Sequence, residues 1–316
     1  MSASREPVGR GGVDLPDLRL FSVLAEELHF GRAAARLHLS QPGLSYRVQR
    51  LEEALGYPVV TRDRRGIRLT PGGARLLEGA RRLLADAQRV LDDAALVAGG
   101  SLATVRVGVV GTALYSLVPD ALQVLRRDHP GLRLLLTESK TTAQLAGLAS
   151  GGLDLGVVHL PLPEGTGLTS CELTRDPVGL AVPEDWDLAA APGRASLAVL
   201  ADRPVVLFPR VVEPATYDRY VGACVAAGFA PRVAQEATGL QTILSLVAGG
   251  VGAAFVAESV AGATTRRGVR FVPLADGPVL SLGAACRAEA PAGVDHVVAA
   301  LTAAGCRDKE HRLKAV

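Results

Sequence analysis

The side chains best suited to chemistry are arginines, which cluster between Arg32 and Arg75. This stretch holds nine arginines and only three acidic residues, a net charge of +6, whereas the whole 316-residue chain carries only +2. A local excess of this size favours a polyanionic partner, although a solvated charged surface needs no partner at all. The elements that carry the arginines therefore decide what the charge means.

Three short helices and a β-hairpin are predicted to position these arginines. Hydrophobic periodicity places helices over 15–28, 32–37 and 41–55, and strands over 59–62 and 66–69. Phe30 and Gly31 are expected to break the first helix, and Ser40 is expected to cap the third. Pro42 then lies in the first turn, where its missing N–H costs nothing. This order predicts a winged helix-turn-helix over residues 14–71.

The third helix is expected to present a polar face suited to DNA. Side chains on this face can hydrogen-bond to base edges and phosphates. The turn between the two strands adds basic groups that can reach the DNA backbone or the minor groove. The residues of the helix face and of the turn are Gln41, Ser45, Tyr46, Gln49, Arg50, Arg64 and Arg65.

A long amphipathic helix is predicted after the hairpin, with Thr70 as its cap and Pro71 in its first turn. Its apolar residues recur at spacings of four and three, which is a heptad pattern. They are Leu76, Ala80, Leu83, Ala87, Val90, Ala94 and Val97. Such a seam favours a dimerisation helix over 72–98 rather than a lone surface helix. Gly99-Gly100-Ser101 is expected to end it as a flexible hinge.

Strands and helices alternate after this hinge, which predicts an α/β domain over 99–306. The βαβαβ order over 104–159 predicts a parallel, doubly wound sheet. The last strand and helix are expected to return to the first of two lobes, leaving a cleft between them. The predicted lobes are lobe I over 103–175 and 277–306 and lobe II over 176–276. Tails are predicted over 1–13, which is expected to be disordered, and over 307–316.

The run from Asp17 to Leu77 resembles the LysR-type transcriptional regulators. The segments that carry the likeness are LRLFSVLAEELHFGRAAARLHLSQPGLSYRVQRLEEALG (Leu18–Gly56) and TRDRRGIRLTPGGARLL (Thr61–Leu77). The resemblance implies a winged helix-turn-helix that binds double-stranded DNA at an imperfect palindrome. It also implies a dimerising linker helix and a two-lobed, periplasmic-binding-protein-like effector domain, usually assembled as a homotetramer. The family's groove-reading positions fall on Gln41, Pro42, Ser45 and Tyr46, with Arg65 at the wing.

Two positions depart from the pattern of the family. Relatives often have Arg or Gln where this chain has Tyr46, which puts the base preference at that contact in doubt. The segment Tyr57–Val60 reads YPVV where VPLF is usual, so an aromatic side chain is missing at the base of the wing.

The second half of the chain is similar to the branch of this family that regulates the catabolism of aromatic compounds. The segments concerned are GTALYSLVP (Gly111–Pro119), TESKTTAQLAGLASGGLDLGVV (Thr137–Val158) and VLFPR (Val206–Arg210). The likeness implies that an aromatic or dicarboxylic acid binds between the lobes. The positions that would contact this effector are Thr112, Thr141, Phe208 and Pro209. An unrelated effector is the alternative.

The two threonines also fit an acid on physical grounds. Thr112 follows a predicted strand and Thr141 precedes a predicted helix, so both lie at the carboxyl edge of the sheet. Ligands of doubly wound sheets bind at that edge, where helix N-terminal N–H groups can hold a carboxylate. The alternative is that both threonines only cap their own helices.

Two other protein classes share a two-lobed α/β fold. An enzyme is disfavoured because the chain has no GxSxG, P-loop or HExxH motif and its histidines are scattered. A solute-binding protein of a transporter would need a signal peptide and would leave the basic stretch unexplained. The four cysteines form no CxxC or Cys/His cluster. We therefore expect no metal or cofactor and reduced thiols in a cytoplasmic protein, with a redox-sensing thiol as the alternative.

Overall fold

A computed structural model describes residues 12–63, 66–98, 103–187 and 193–314. The chain divides into two compact units. The first unit contains the residues up to Ala98 and the short segment Ala149–Gly152, and the second contains Gly99–Leu148 and the residues from Leu153 onward. Several sequence predictions fall outside the described residues, namely most of the N-terminal tail, the glycine hinge, and the wing residues Arg64 and Arg65. Within the described ranges, no helix combines the length and hydrophobicity needed to cross a membrane.

The first unit is a helix-turn-helix followed by a hairpin and a long helix. Its elements are α1 (Leu15–Glu27), α2 (Phe30–Arg36), α3 (Gln41–Leu55), β1 (Val60–Asp63), β2 (Gly66–Leu69) and α4 (Pro71–Ala98). Strands β1 and β2 pair antiparallel and form the wing. Phe21, Leu24 and Leu44 are fully buried in a common core. The predicted winged helix-turn-helix is therefore confirmed.

The prediction that Phe30 and Gly31 break the first helix is wrong, because both residues belong to α2. The break lies earlier, at Leu28, which adopts the left-handed conformation with φ of 46°. The ring atom Nδ1 of His29 then accepts hydrogen bonds from the backbone N–H groups of Gly31 and Arg32, at 3.1 and 3.2 Å. Histidine is not among the usual N-cap residues, so the sequence pattern did not mark this boundary.

Helix α4 is fixed to the base of the wing. The hydroxyl of Thr70 accepts a hydrogen bond from the N–H of Gly73 at 2.9 Å and donates one to the carbonyl of Pro58 at 2.8 Å. The N–H of Thr70 donates to the carbonyl of Val59 at 3.1 Å. A Cβ atom on Gly73 would overlap that same carbonyl oxygen. Glycine is therefore needed where the helix meets the wing.

The apolar seam of α4 divides into two parts. Leu77 packs into the core of the helix-turn-helix, and Ala80 is buried as well. Farther along the helix, Leu83, Val90 and Leu91 are 54%, 68% and 65% exposed. The predicted seam thus stabilises its own unit at Ala80, whereas Leu83 and Val90 are exposed to solvent.

The second unit is built on a seven-stranded mixed sheet. Its helices are α5 (Leu117–Asp128), α6 (Thr141–Ser150), α7 (Pro214–Ala226), α8 (Leu240–Ala248), α9 (Glu258–Ala263) and α10 (Val294–Lys314). Its strands are β3 (Ala103–Val109), β4 (Leu132–Glu138), β5 (Leu155–Leu160), β6 (Leu168–Pro183), β7 (Pro204–Leu207), β8 (Arg232–Glu236), β9 (Ala254–Ala257), β10 (Val269–Val272) and β11 (Val279–Arg287). The strand order is β4-β3-β5-β11-β6-β10, with β9 also paired to β6 and with β7 and β8 forming a separate pair.

The predicted parallel pairing holds for only part of this sheet. Strand β3 runs parallel to β4 and β5, whereas β11 runs antiparallel to β5 and β6. Strand β11 and helix α10 share the core of the first lobe with α5, which confirms that the end of the chain returns to that lobe. Hydrophobic periodicity predicts the last helix over 293–304, whereas helix α10 continues to Lys314.

Hydrophobic periodicity predicts a strand over 178–182, but strand β6 begins ten residues earlier, at Leu168. Its first half pairs with β11, and its second half pairs with β9 and β10, so one strand belongs to both lobes. The first half begins with mostly exposed, polar residues. Such a segment lacks the hydrophobic pattern that marks a strand, and it is held by main-chain pairing instead.

Replacing Gly73 by alanine should lower the free energy of unfolding by about 1–3 kcal/mol, because a backbone clash cannot be relieved by moving a side chain. Gly79 is the matched control, since it lies on the same helix with open space where a Cβ would stand. Gly79→Ala should be neutral or stabilising by up to about 1 kcal/mol. Urea unfolding followed by circular dichroism measures both effects. Equal stability of the two variants would contradict the close approach at Gly73.

Candidate functional sites

Helix α3 has one buried side and one exposed polar side. Leu44, Val48 and Leu51 are buried, and the hydroxyl of Ser40 accepts a hydrogen bond from the N–H of Gly43 at 3.2 Å at the start of the helix. The residues predicted to read DNA lie on the other side: Gln41, Pro42, Tyr46, Gln49 and Arg50 are exposed, and Ser45 is half-buried. These six side chains are therefore presented by one helix.

Two side chains of this face differ in how they are held. Gln49 donates a hydrogen bond from Nε2 to Glu53 on the same helix at 3.1 Å. Tyr46 is 63% exposed. A large aromatic side chain left in water in this position is available for contact with a partner. The remaining predicted DNA contacts, Arg64 and Arg65, lie outside the described residues.

The positive charge of the arginine stretch is smaller at the surface than the residue count indicates. Arg36 pairs with Glu26 at 2.8 Å and with Glu27 at 3.3 Å, and Arg32 pairs with Glu27 at 3.2 Å. Both glutamates precede Arg32, so their negative charges are not included in the net charge of +6. Among the described side chains, Arg50 forms no ion pair. Helix α3 therefore keeps a positive charge on its exposed side, whereas α2 is largely neutralised.

In the second unit, four polar side chains from the two lobes meet at the carboxyl edge of the sheet; we call them the cleft cluster. Thr112 lies in a 3₁₀ turn after β3, Thr141 begins α6, and His159 lies near the end of β5. Glu213 comes from the second lobe, immediately before α7. Three chain segments of one lobe and one of the other thus converge on a single position.

His159 connects the two threonines that the sequence singles out. Its ring atom Nε2 lies 3.2 Å from the hydroxyl of Thr112. Its backbone N–H donates to the hydroxyl of Thr141, also at 3.2 Å. The side chain of Thr141 therefore accepts a hydrogen bond from the neighbouring strand.

The carboxylate of Glu213 is 6% exposed and is surrounded by hydrogen-bond donors. Oxygen Oε1 accepts from the backbone N–H of Thr141 at 2.6 Å. Oxygen Oε2 lies 3.1 Å from Nδ1 of His159 and accepts from the hydroxyl of Thr216 at 3.2 Å. The carboxylate of the second lobe therefore binds the N-terminus of a helix in the first lobe.

The electrostatics of the cluster favour an ionised Glu213. Burial alone raises the pKa of this carboxyl, but the hydrogen bonds and charge of His159 and the N–H of Thr141 outweigh it, so the pKa lies below its ordinary value. An ionised carboxylate only accepts hydrogen bonds, so the proton of His159 is assigned to Nδ1. The Nε2 atom then lies against the hydroxyl of Thr112, which can either donate to it or accept from it.

Two further contacts join the lobes beside the cleft cluster. The amide of Gln241 donates to the hydroxyl of Tyr115 at 3.2 Å. The hydroxyl of Thr142 donates to the carbonyl of Val212 at 3.4 Å. Direct contacts other than those of Glu213 thus also connect the lobes.

The structure does not bring all four predicted effector contacts together. Thr112 and Thr141 meet at His159, but the ring of Phe208 packs edge-on against Tyr217 and Tyr220 in the core of the second lobe, with centroid separations of 6.2 and 6.1 Å. Pro209 starts the turn that leads to Glu213, and its carbonyl accepts from the N–H of Val212 at 2.9 Å.

Sequence reasoning missed the two titratable members of the cluster. His159 ends a buried strand, but the histidines are scattered along the chain and none was singled out. Glu213 precedes Pro214 at a helix start, where an acidic residue usually needs no explanation beyond capping. A hint was available in the position of His159, because the carboxyl ends of parallel strands meet at the edge where ligands bind.

Two of the four cysteines have thiols whose pKa is raised by burial. Desolvation by burial raises the pKa of Cys224 to about 11. The pKa of Cys286 is also raised, first by burial and then by neighbouring Cys171. A raised pKa disfavours the thiolate, which is the reactive form. Among the described residues, no three or more His, Cys, Asp or Glu side chains are grouped so that they could hold a metal ion.

Comparisons with known proteins match both units. Residues 15–74 match the family described as bacterial regulatory helix-turn-helix protein, lysR family. Residues 98–305 match the LysR substrate binding domain. The HTH-type transcriptional regulator IlvR of Caulobacter vibrioides is 37% identical over 274 residues, which cover 86% of this chain and 91% of the relative. The regulator AlsR of Bacillus subtilis is 32% identical over 249 residues, covering 78% and 81%.

Among solved structures, full-length CbnR complexed with its target DNA is similar to this chain. The TM-score is 0.69 at 27% sequence identity, and the match covers 94% of this chain and all 100% of that chain. The family matches account for nearly the whole chain, and the curated relatives exceed 30% identity over most of their length. The chain therefore belongs to the LysR family of DNA-binding transcriptional regulators, with an effector-binding domain in its second unit.

Proposed function

We propose that this regulator controls transcription in the cytoplasm by coupling an acid bound between its lobes to the way paired DNA-binding units engage a palindromic operator. The cleft cluster is the observation that supports binding of an acid. In this cluster both lobes meet at a helix N-terminus on the carboxyl edge of the sheet. A ligand held there contacts both lobes and so changes their relative position. The lobes are taken as 103–175 with 277–306 and 176–276.

The exposed side of α3 is the proposed DNA-reading surface. Helices of helix-turn-helix motifs enter the major groove, where polar side chains contact base edges. The proposed contacts on this helix are Gln41, Pro42, Ser45, Tyr46, Gln49 and Arg50. The wing contributes Arg64 and Arg65, which are proposed to bind the DNA backbone or the minor groove. Tyr46 sets the base preference that distinguishes this protein from relatives with Arg or Gln there.

The uncovered half of the α4 seam is the proposed dimer contact within residues 72–98. A groove of about 380 Å³ beside it is lined mainly by apolar side chains, including Leu20, Leu84 and Leu91, together with the polar side chains of Arg19, Arg47 and Gln88. Exposed apolar residues at heptad spacing are buried when two such helices pair. A second copy of the chain therefore fits this surface, and two dimers form the proposed homotetramer.

The proposed effector is an aromatic or dicarboxylic acid that contacts Thr112 and Thr141. Phe208 and Pro209 act from the second lobe in this proposal, which requires the ring of Phe208 to leave Tyr217 and Tyr220. The physical support is the set of donors at the start of α6, because N–H groups and hydroxyls there suit a carboxylate.

Arg50→Gln should weaken binding to operator and to unrelated DNA by similar factors, because a phosphate contact carries no sequence information. The slope of log affinity against log salt should fall by about one. Arg82→Gln is the matched control, since it removes the same charge from α4, where Arg82 pairs with Glu78 at 3.3 Å. Fluorescence anisotropy at several salt concentrations measures both slopes. An unchanged slope for Arg50→Gln would contradict the proposal that α3 binds phosphates through Arg50.

Val90→Glu should halve the mass of the assembly, because a charge placed in the seam must be desolvated when two helices pair. Light scattering after size exclusion measures the mass of the full chain. Arg82→Gln should keep the mass of the unaltered protein. If Val90→Glu has the same mass as the control, the helices do not pair through this seam.

At least one acid from a panel of benzoate, salicylate, succinate and cis,cis-muconate should alter the DNase I footprint at the operator. The expected reason is that an acid bound between the lobes changes their relative position, which alters the spacing and bending of the bound DNA. Thr141→Val should abolish the response and leave the ligand-free footprint intact. Footprints unaffected by every acid would exclude this class of effector.

A further inference from the structure

Glu213 supplies the chemical group that the effector is expected to bring. A carboxylate bound by a helix N-terminal N–H and an imidazole is the ordinary arrangement for a captured acid. Here both donors belong to the first lobe, from Thr141 and His159, and the carboxylate belongs to the second. The position expected for a free acid therefore already holds a carboxylate of the chain itself.

The backbone around Glu213 shows that this contact is not a by-product of helix capping. Glu213 is the N-cap residue of α7, yet its side chain accepts no capping hydrogen bond from the backbone of that helix. One oxygen contacts the start of α6 in the other lobe instead. An acidic N-cap side chain would normally stabilise its own helix. Apart from the hydroxyl of Thr216 on α7, the hydrogen-bond donors to the Glu213 carboxylate thus lie across the cleft.

We propose that Glu213 is a tethered competitor for the effector: it occupies the carboxylate position in the ligand-free protein, and an acid must displace it to bind. This inference rests on the proposed acid-binding function and specifies how the site discriminates. Displacement would break the Glu213 contact between the lobes as the acid forms its own. Glu213 therefore sets both the affinity for acids and the geometry of the ligand-free state.

The surroundings of Glu213 allow it to leave. It follows a surface turn in which Val211 is 84% exposed, so a displaced carboxylate reaches water over a short distance. A charge released into water incurs no desolvation cost, whereas a charge left buried without its partners would. The ligand-bound state therefore needs no second buried partner for Glu213.

A purely structural role for Glu213 makes a different prediction. If Glu213 only ties the lobes together, its removal lowers stability and no free acid restores it. If it occupies an acid site, its removal vacates that site, and a small acid binds there and restores stability.

The test uses the full-length protein and Glu213→Ala, with propionate, benzoate and succinate as probes. Sodium chloride at equal ionic strength and propionamide are the solute controls. Asp218→Ala is the matched variant, because it removes a carboxylate from the exposed surface of α7, where Asp218 pairs with Arg210 at 2.6 Å. Thermal unfolding and isothermal titration measure stabilisation and affinity.

We expect Glu213→Ala to be stabilised by at least one carboxylate and to bind it at least tenfold more tightly than the unaltered protein and Asp218→Ala do. Propionamide and chloride should leave its unfolding temperature unchanged. Equal affinity in Glu213→Ala and the unaltered protein would overturn the competition. The absence of any carboxylate-specific response in Glu213→Ala would overturn the acid site itself.

Glu213→Gln is the second test variant, for use if Glu213→Ala does not fold. The amide keeps the shape of the side chain and can still accept the N–H of Thr141, but it lacks the charge, so acids should displace it more readily than they displace Glu213. A Glu213→Gln protein that binds propionate no better than the unaltered protein would overturn the proposal. Neither readout involves DNA, so failure here leaves operator binding intact and is distinguishable from failure of the DNA-binding function.

Discussion

A charged carboxylate removed from water must be paired, and in the effector domain this requirement joins the two lobes. Glu213 meets it with donors from the opposite lobe, the N–H of Thr141 and the ring of His159. His159 lies near the end of β5, and Thr141 begins α6. The contact with Glu213 therefore exists only when both lobes are correctly placed. The relative position of the lobes and the ionisation of one side chain are therefore linked.

The sheet beneath the cleft cluster explains why its members converge. Strands β3 and β5 run parallel and adjacent, which brings the segments after them to the same edge. Strand β6 pairs in both lobes, so the second lobe is tied to the first by main-chain hydrogen bonds as well as by its connections. A ligand that alters the cleft therefore changes the relative position of two lobes that share one strand, β6.

In the first unit, one helix serves two purposes. Helix α4 is anchored where Gly73 approaches the carbonyl of Val59, and Leu77 completes the core of the helix-turn-helix. Beyond that point the same apolar stripe is exposed at Leu83 and Val90. The stability of the DNA-binding unit and the surface proposed for pairing thus depend on consecutive turns of a single helix.

The sequence predicted those features that depend on neighbouring residues. Ser40 and the apolar spacing of Leu44, Val48 and Leu51 marked α3, and its bounds in the structure are those predicted. The prediction failed where a residue acted outside its usual role. His29 caps a helix although histidine seldom does, and the polar first half of β6 is a strand without a strand's hydrophobic pattern.

By itself, the sequence determined the family, the winged helix-turn-helix and the order of the strands, because capping and hydrophobic periodicity act over a few residues. It also singled out Thr112 and Thr141 as proposed effector contacts, since both adjoin predictable elements. Only the tertiary structure decided that His159 lies between them and that Glu213, 54 residues farther along the chain, fills the position expected for an acid. Such a contact depends on how separate elements pack, and no local pattern of residues encodes it.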